Sequence, residues 1–293
     1  MSRIAFYLFL KPLSLLPLPV LYAITWPLYV LLAYVFRYRN KVMRTNLAKS
    51  FPDKSSQELR QIELKFYRHF FDQILESLRM ISMPDAECAR RLKITNPEIL
   101  TPYYAQGRSV AMVIGHYNNW EFTPFMNSQM KHQFVAIYSS LKNKFMNEVV
   151  KKARSKMGSM LIPRREVGTF IRKPPKEPFL LLFAADQSPD WKSKLHWTQF
   201  LNQKTGVATG AERYAQMLNW VVVFGHIAKV KRGHYEMTIE VLTDTPNEQP
   251  EGMITEMHVR ALEREILQAP EYWLWTHKRW KKRTEKNLEL EKS

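Results

Sequence analysis

His116 and Glu121 stand five positions apart in the stretch GHYNNWE, Gly115 to Glu121. A neutral imidazole accepts a proton near neutral pH, and a carboxylate beside it fixes its tautomer and stabilises the imidazolium. The pair is equipped for general base catalysis: His116 would take a proton from an attacking hydroxyl while Glu121 holds the ring. No Ser or Cys nucleophile is needed if an acyl group passes directly from a thioester to an alcohol. Five helical residues turn about 500°, some 140° off register, so the two side chains cannot share a helix face. They meet only if His116 lies in a strand-to-helix turn and Glu121 in the first helical turn. Asn118 as a helix cap, with Glu121 three residues later in capping-box spacing, offers that arrangement. The same spacing also fits a strand-end histidine beside a capping glutamate.

The flanking sequence supplies the strand. SVAMVIG (109–115) is a short apolar run, as are FVAIYS (134–139), FLLLFAAD (179–186) and WVVVFGHI (220–227). Such runs read as buried strands, and HYEMTIEVL (234–242) alternates as a strand with one wet face. Between them, 120–130, 143–157 and 206–218 read as helices, and 252–268 and 271–280 as two more split by Pro270. Strand–helix alternation predicts an α/β fold whose sheet is covered on both faces. Ahead of it, Ile62, Phe66, Phe70, Ile74, Leu78 and Ile81 recur at helical spacing over 58–82, with Ser55 and Glu58 placed to cap that helix.

Composition narrows the partners. The 293 residues carry 44 Lys+Arg against 27 Asp+Glu, a net charge of +17, so an anionic partner is expected. Cys88 stands alone, which excludes a disulfide framework and any Cys-based zinc site and leaves a structural thiol. His226 and His234 flank a hairpin without a third ligand at metal spacing, and no P-loop or dinucleotide fingerprint is present, so neither metal nor cofactor is expected. Pro12 to Phe36 is uncharged, and a bilayer-crossing helix needs about 20 apolar residues. Pro12, Pro17 and Pro19 leave the cleaner helix to start near Val20; Pro27 is tolerable as a kink. A membrane helix is therefore expected, with a half-inserted or interfacial hairpin as the alternative. Arg37, Arg39, Lys41 and Arg44 follow it and place the rest of the chain on the cytoplasmic side. The domains expected are residues 1–44, a membrane anchor with a basic juxtamembrane stretch, and 45–293, a cytoplasmic catalytic domain.

Six blocks in order extend the reading: RYRNKVMRTNLAKSFPDKS (37–55), GHYNNWE, ARSKMGSMLIPR (153–164), FAADQSPD (183–190), FLNQKTGVATGAERYA (200–215) and EYWLWTHKRWKKR (271–283). Together they resemble the bacterial lipid A late acyltransferases, lysophospholipid-acyltransferase-like enzymes of lipopolysaccharide biosynthesis. One departure is that relatives often carry Gly where Asn118 stands. The resemblance implies a glycerol-3-phosphate-acyltransferase-like mixed sheet covered by helices, with an N-terminal membrane helix. It implies His116 as base and Glu121 as its orienting partner. Arg154 becomes a candidate for the acceptor's phosphate or the thioester oxyanion, against a solvated helix charge. Asp186, at a strand end, would bind or orient a substrate hydroxyl, or cap the next turn; Gln187 joins it as a weaker substrate-binding candidate. Thr209 and Gly210 would open a helix near the site, and His277, among basic residues, would lie on a surface patch.

The implied reaction moves a fatty acyl chain from an acyl thioester, on acyl carrier protein or coenzyme A, to a hydroxyl of a lipid A precursor. It would take place at the cytoplasmic side of the inner membrane, without nucleic acid. The alternatives are another lipid acceptor, such as a phosphatidylinositol mannoside or an amino lipid, and a non-catalytic membrane-anchored protein that binds nucleic acid through its basic surface.

Overall fold

The computed structural model describes residues 3–30, 38–190 and 193–280. Its strands are β1 (Leu92–Ile94), β2 (Val110–Ile114), β3 (Gln133–Tyr138), β4 (Met160–Pro163), β5 (Phe179–Ala184), β6 (Leu195–Phe200), β7 (Gln203–Ala208), β8 (Val221–Lys231) and β9 (His234–Thr243). The main sheet has the order β1-β9-β8-β2-β5-β3-β4, and β6 and β7 form a separate hairpin. Within the main sheet β8 and β9 run antiparallel and the other neighbours run parallel. The helices are α1 (Arg3–Ala5), α2 (Lys11–Leu15), α3 (Leu18–Val30), α4 (Asn40–Ser50), α5 (Ser56–Met80), α6 (Asp85–Arg91), α7 (Thr101–Ala105), α8 (Lys144–Arg154), α9 (Val167–Arg172), α10 (Gly210–Leu218) and α11 (Met253–Gln268).

The apolar runs form strands because both faces of the sheet are covered. Ala111 and Val113 of β2 join one core cluster, with side chains of α4, α5, α10 and α11. Val110, Met112 and Ile114 join the other, with Phe122, Phe125 and Met126. Successive residues point to opposite faces, so a strand covered on both reads as an unbroken apolar run. Cys88 is fully buried in the second cluster, and burial pushes its thiol up to about 11, as befits a structural residue.

Several segments depart from the sequence reading. Residues 120–130 form a 3-10 helix, Trp120–Gln129, with Pro124 inside it. A proline there withdraws a donor and favours the tighter, irregular winding. The helix expected over 206–218 begins only at Gly210, because Gly206 to Ala208 belong to β7, which pairs with the unforeseen β6. Residues 271–280 are not a helix; after a short turn at Pro270–Tyr272 the chain is irregular and buries Trp273 and Trp275. Arg279 is also buried, donating to the Gly206 carbonyl at 2.7 Å, so the expected basic surface patch is partly interior. Lys281, Lys282 and Arg283 lie outside the described residues, as does Arg37.

The membrane helix expected from the N-terminal apolar run is not present as one unbroken helix among the described residues, and the half-inserted or interfacial hairpin stays open beside it. Among the described residues no single helix is long and apolar enough to cross a bilayer. Arg3–Leu15 and Leu18–Ile24 pass only as a pair, bent by 116°. The bend lies at Leu16, which is extended at φ −67°, ψ 140°. It precedes Pro17, and a residue before proline is pushed out of the helical region. Pro27 is accommodated inside α3; residues 31–36 of the expected span lie outside the described residues.

α5 has the expected Ser55–Glu58 capping box, each side chain bonded to the other's backbone N–H, at 3.3 and 2.8 Å. Its apolar stripe follows the buried face only in part: Ile62 and Phe66 are buried in the core, whereas Ile74 is 47% exposed. Each four-residue step advances about 400°, a drift of roughly 40°, so a strict four-residue stripe winds off any fixed face. The buried side mixes apolar residues with polar ones. Glu76 is fully buried and accepts from Tyr22 (2.6 Å), Tyr235 (2.8 Å) and Asn119 (2.6 Å), which joins α3, β9 and the turn after β2. Burial pushes the Glu76 pKa up, and the three donors pull it back. Beside it Asp72 holds Arg232 through two hydrogen bonds of 2.9 and 2.6 Å.

Replacing Glu76 with Leu strands three buried donors, each worth roughly 1–3 kcal/mol. Denaturant unfolding of Glu76→Leu should therefore show a loss of at least about 3 kcal/mol. Ile74→Ser, on the exposed side of the same helix, should stay within about 0.5 kcal/mol.

Candidate active site

The site is set by strand register. β2 and β5 pair in parallel with Ile114 opposite Ala184. Counting two residues on from each brings His116 level with Asp186, just past the carboxyl ends of neighbouring strands. The Ala185 N–H donates to the Ile114 carbonyl at 3.3 Å and carries the pairing past the strand ends. Asp186 Oδ1 then lies 2.6 Å from His116 Nδ1, and Asp186 Oδ2 accepts the His116 backbone N–H at 2.8 Å. Trp273 Nε1–H donates to Oδ2 as well, at 2.7 Å.

Asp186, not Glu121, is therefore the carboxylate on the His116 ring. Burial alone would raise the Asp186 pKa, but the imidazole charge and the donors to the carboxylate outweigh it and hold it at about 2. Burial likewise works against a charged His116, and the Asp186 carboxylate overrides it, leaving the imidazole pKa raised. In the neutral ring Nδ1–H donates to Asp186, so Nε2 carries the lone pair, and Gln187 Nε2 donates to it at 3.0 Å. Trp120 packs edge-on against the imidazole, with ring centroids 5.0 Å apart.

Glu121 turns the other way. It holds Arg154, at the end of α8, through two hydrogen bonds of 2.8 and 2.6 Å. Both side chains are partly buried, at 29% and 21% exposure, so Arg154 is not a solvated helix charge. The capping box expected at Asn118 does not form. Asn118 sits at φ +50° and its amide donates to the Ile227 carbonyl at 2.6 Å. Positive φ is cheap for glycine and tolerable for asparagine, which accounts for an Asn at a turn where Gly would also fit.

The C-terminal segment closes over this turn. Tyr117 bridges Trp273, the Asn118 N–H donates to the Tyr272 carbonyl at 3.0 Å, and the Leu274 N–H donates to the His116 carbonyl at 3.2 Å. His277 belongs here rather than on the surface: its Nε2 accepts the Ser188 N–H at 3.1 Å, and burial lowers its pKa. It thus holds the loop that carries Asp186 and Gln187. Trp273 was not singled out in the sequence; its place in the block EYWLWTHKRWKKR was the available signal.

His116, Glu121, Arg154 and Gln187 line one cleft of about 710 Å³. Ala136, Ile137, Leu161, Val167 and Leu182 make an apolar stretch of its wall, and Arg213, Arg164 paired with Asp190 of the same lining, and Lys194 paired with Glu251 add charged groups. Thr209 and Gly210 line it at the start of α10. The arrangement provides an imidazole with a carboxylate partner and a charge-balanced guanidinium on one cleft whose lining is apolar along one stretch and charged along another.

Residues 3–282 match the family model described as bacterial lipid A biosynthesis acyltransferase. The lipid A biosynthesis lauroyltransferase of Escherichia coli (strain K12) is 23% identical over 273 residues, covering 92% of this chain and 88% of the relative. The lipid A biosynthesis palmitoleoyltransferase of the same organism is 21% identical over 270 residues, covering 92% of this chain and 87% of the relative. A lipid A biosynthesis acyltransferase of Shigella flexneri matches to the same extent, 21% over 270 residues.

The ring's proton affinity tests the pairing. In an NMR titration the His116 imidazole should titrate above the ordinary histidine range. Asp186→Asn removes the charge that opposes burial, so the His116 value should fall, whereas Glu121→Gln should move it far less.

Proposed function

Because the chain belongs to the bacterial lipid A biosynthesis acyltransferase family, a family of acyl-transferring enzymes, we propose that it moves a fatty acyl chain from an acyl thioester to a hydroxyl of a lipid A precursor, at the inner membrane with its catalytic domain on the cytoplasmic side. Family membership sets aside the non-catalytic nucleic-acid reading. The observation that carries the mechanism is the His116–Asp186 pair at 2.6 Å, placed on a cleft that is apolar along one stretch and charged along another.

In this reading His116 Nε2 takes the proton of the acceptor hydroxyl as the oxygen attacks the thioester carbonyl. Asp186 stabilises the imidazolium that forms and keeps Nδ1 as the donor. The tetrahedral intermediate collapses, the C–S bond breaks, and the proton on Nε2 passes to the departing thiolate. The Gln187 amide occupies Nε2 at rest and gives way to the acceptor hydroxyl. Arg154, held flat by Glu121, meets either an acceptor phosphate or the developing oxyanion; a guanidinium suits both because it donates in a fixed fork. Glu121 thereby acts through Arg154 and not as the ring's partner. The apolar wall takes the acyl chain, and the cations near it favour an acceptor that bears phosphate and an acidic carrier of the donor.

Purified enzyme assayed with an acyl thioester and a lipid A precursor tests these assignments. His116→Ala should lower turnover by about 10²–10⁴; a near-normal rate would overturn the mechanism. The losses for Glu121→Ala and Arg154→Ala should be non-additive, because the two side chains act as a unit, while Arg154→Lys should recover only part of the rate.

A further inference from the structure

The N-terminal segment is tied to the rest of the protein at intervals along its described length. Phe6 and Tyr7 pack on Phe145 of α8, with ring centroids 5.2 and 6.0 Å apart, and Arg3 lies over the same ring. Lys11 Nζ donates to Ser82 Oγ at 2.8 Å, Ser14 and Ser82 share a hydrogen bond of 2.6 Å, and Arg79 donates to the Ser14 carbonyl at 2.9 Å. Beyond the bend, Leu18, Leu21 and Tyr22 are buried with Leu75. The Tyr22 hydroxyl is held by Glu76 and its ring is covered by Arg232 at 3.8 Å. Tyr29 lies 6.4 Å from Phe71, and the Tyr38 carbonyl accepts from Tyr67 at 2.6 Å.

α3 therefore runs along α5, a helix full of buried charge that belongs to the catalytic domain. The longest interval between ties is the nine residues from Tyr29 to Tyr38. Even fully extended, nine residues reach about 30 Å, which must cover both the way out and the way back. A single crossing of the hydrocarbon core already takes about 30 Å. Straightening the pair into one spanning helix would also break the polar ties that flank the bend, at Ser14 on one side and Tyr22 on the other.

The face turned away from the domain is apolar: Ile4, Leu8, Phe9 and Leu15 are exposed. The charge within its own sequence has one sign. The first 52 residues hold seven Lys and Arg and no acid, the first acid being Asp53. An apolar face set in cationic sequence is complementary to an anionic lipid surface.

We propose that residues 3–30 form a one-sided anchor, a bent helix pair that lies in a single leaflet of an anionic bilayer without crossing it. The proposal rests on the reading that the enzyme works at a membrane and specifies how it is held there. It also places the cleft: exposed Leu141 lines the cleft four residues before Phe145, so the mouth borders the leaflet from which a lipid acceptor would enter.

Two measurements on the full chain test it. In sedimentation with vesicles of phosphatidylglycerol and phosphatidylethanolamine, the wild type should pellet. The Leu8→Glu/Phe9→Glu variant, its circular dichroism unchanged, should partition at least tenfold less. A wild type that fails to pellet overturns the membrane reading itself. A variant that keeps its vesicle binding but loses a dimer in solution assigns the patch to a second copy of the chain and overturns the anchor. The second measurement uses membrane vesicles from expressing cells, prepared in both orientations, with Ser2→Cys and Thr45→Cys probed by a membrane-impermeant maleimide; native Cys88 is fully buried and does not compete. Both positions should label in the same orientation. Labelling of Ser2→Cys only in the opposite orientation shows a crossing and overturns the one-sided anchor while leaving the membrane reading in place.

Discussion

One buried carboxylate organises the catalytic end of this protein. Asp186 accepts from the His116 ring, from the His116 backbone and from the Trp273 indole. Those three bonds join the ends of β2 and β5 and the segment after α11. A carboxylate without partners would not stay charged at that depth, so the surrounding donors and the negative charge require one another. The charge in turn makes the imidazole a stronger base than burial alone would allow. Removing any one donor therefore weakens the site and the packing of the C-terminal segment together.

The sequence made some of this legible and hid the rest for identifiable reasons. The strands at β2, β3, β5, β8 and β9 stand out because each carries its own periodicity, and the Ser55–Glu58 cap because its partners are three residues apart. His116 and Asp186 were each visible as polar residues at the end of an apolar run. That they pair was not, because it depends on β2 and β5 being neighbours, and no local pattern encodes strand order. The nearby Glu121 was the natural partner to read from spacing, yet the Asn118 turn at positive φ sends it to Arg154, 33 residues away. The segment 271–280 was read as a helix on apolar and basic content, whereas the need to bury Trp273 and Trp275 and to pair with the turn after β2 overrides helical preference. The N-terminal apolar run was long enough to read as a span, and its prolines kept an interfacial hairpin open beside that reading, but no hydropathy pattern registers the polar ties to α5.

A second buried carboxylate works at longer range. Glu76 bonds Asn119, three residues beyond His116, on one side and Tyr22 of α3 on the other. The turn that presents His116 is thus supported from behind by a side chain that also secures the N-terminal helix pair. The two carboxylates differ in character: Asp186 is held low by the His116 ring and the donors around it, and Glu76 is met by neutral donors while burial pushes its pKa up. Asp186 fits a group that must answer a change of charge on the imidazole, and Glu76 fits one that only has to hold a shape.

That support bears on how a water-soluble form of the enzyme would have to be made. Cutting the chain before α4 is the obvious way to shed an apolar leader, but here it would remove the Tyr22 hydroxyl from Glu76 and the aromatic ring from beneath Arg232, opening to water the cluster on which Asn119 rests. Solubility is better sought by recolouring the exterior of the helix pair, with polar residues at positions such as Leu8 and Phe9, while its inner side is left intact. The apolar leader is in this sense a structural part of the fold that carries the cleft, and a shortened protein would report on a damaged His116 turn as much as on the missing leader.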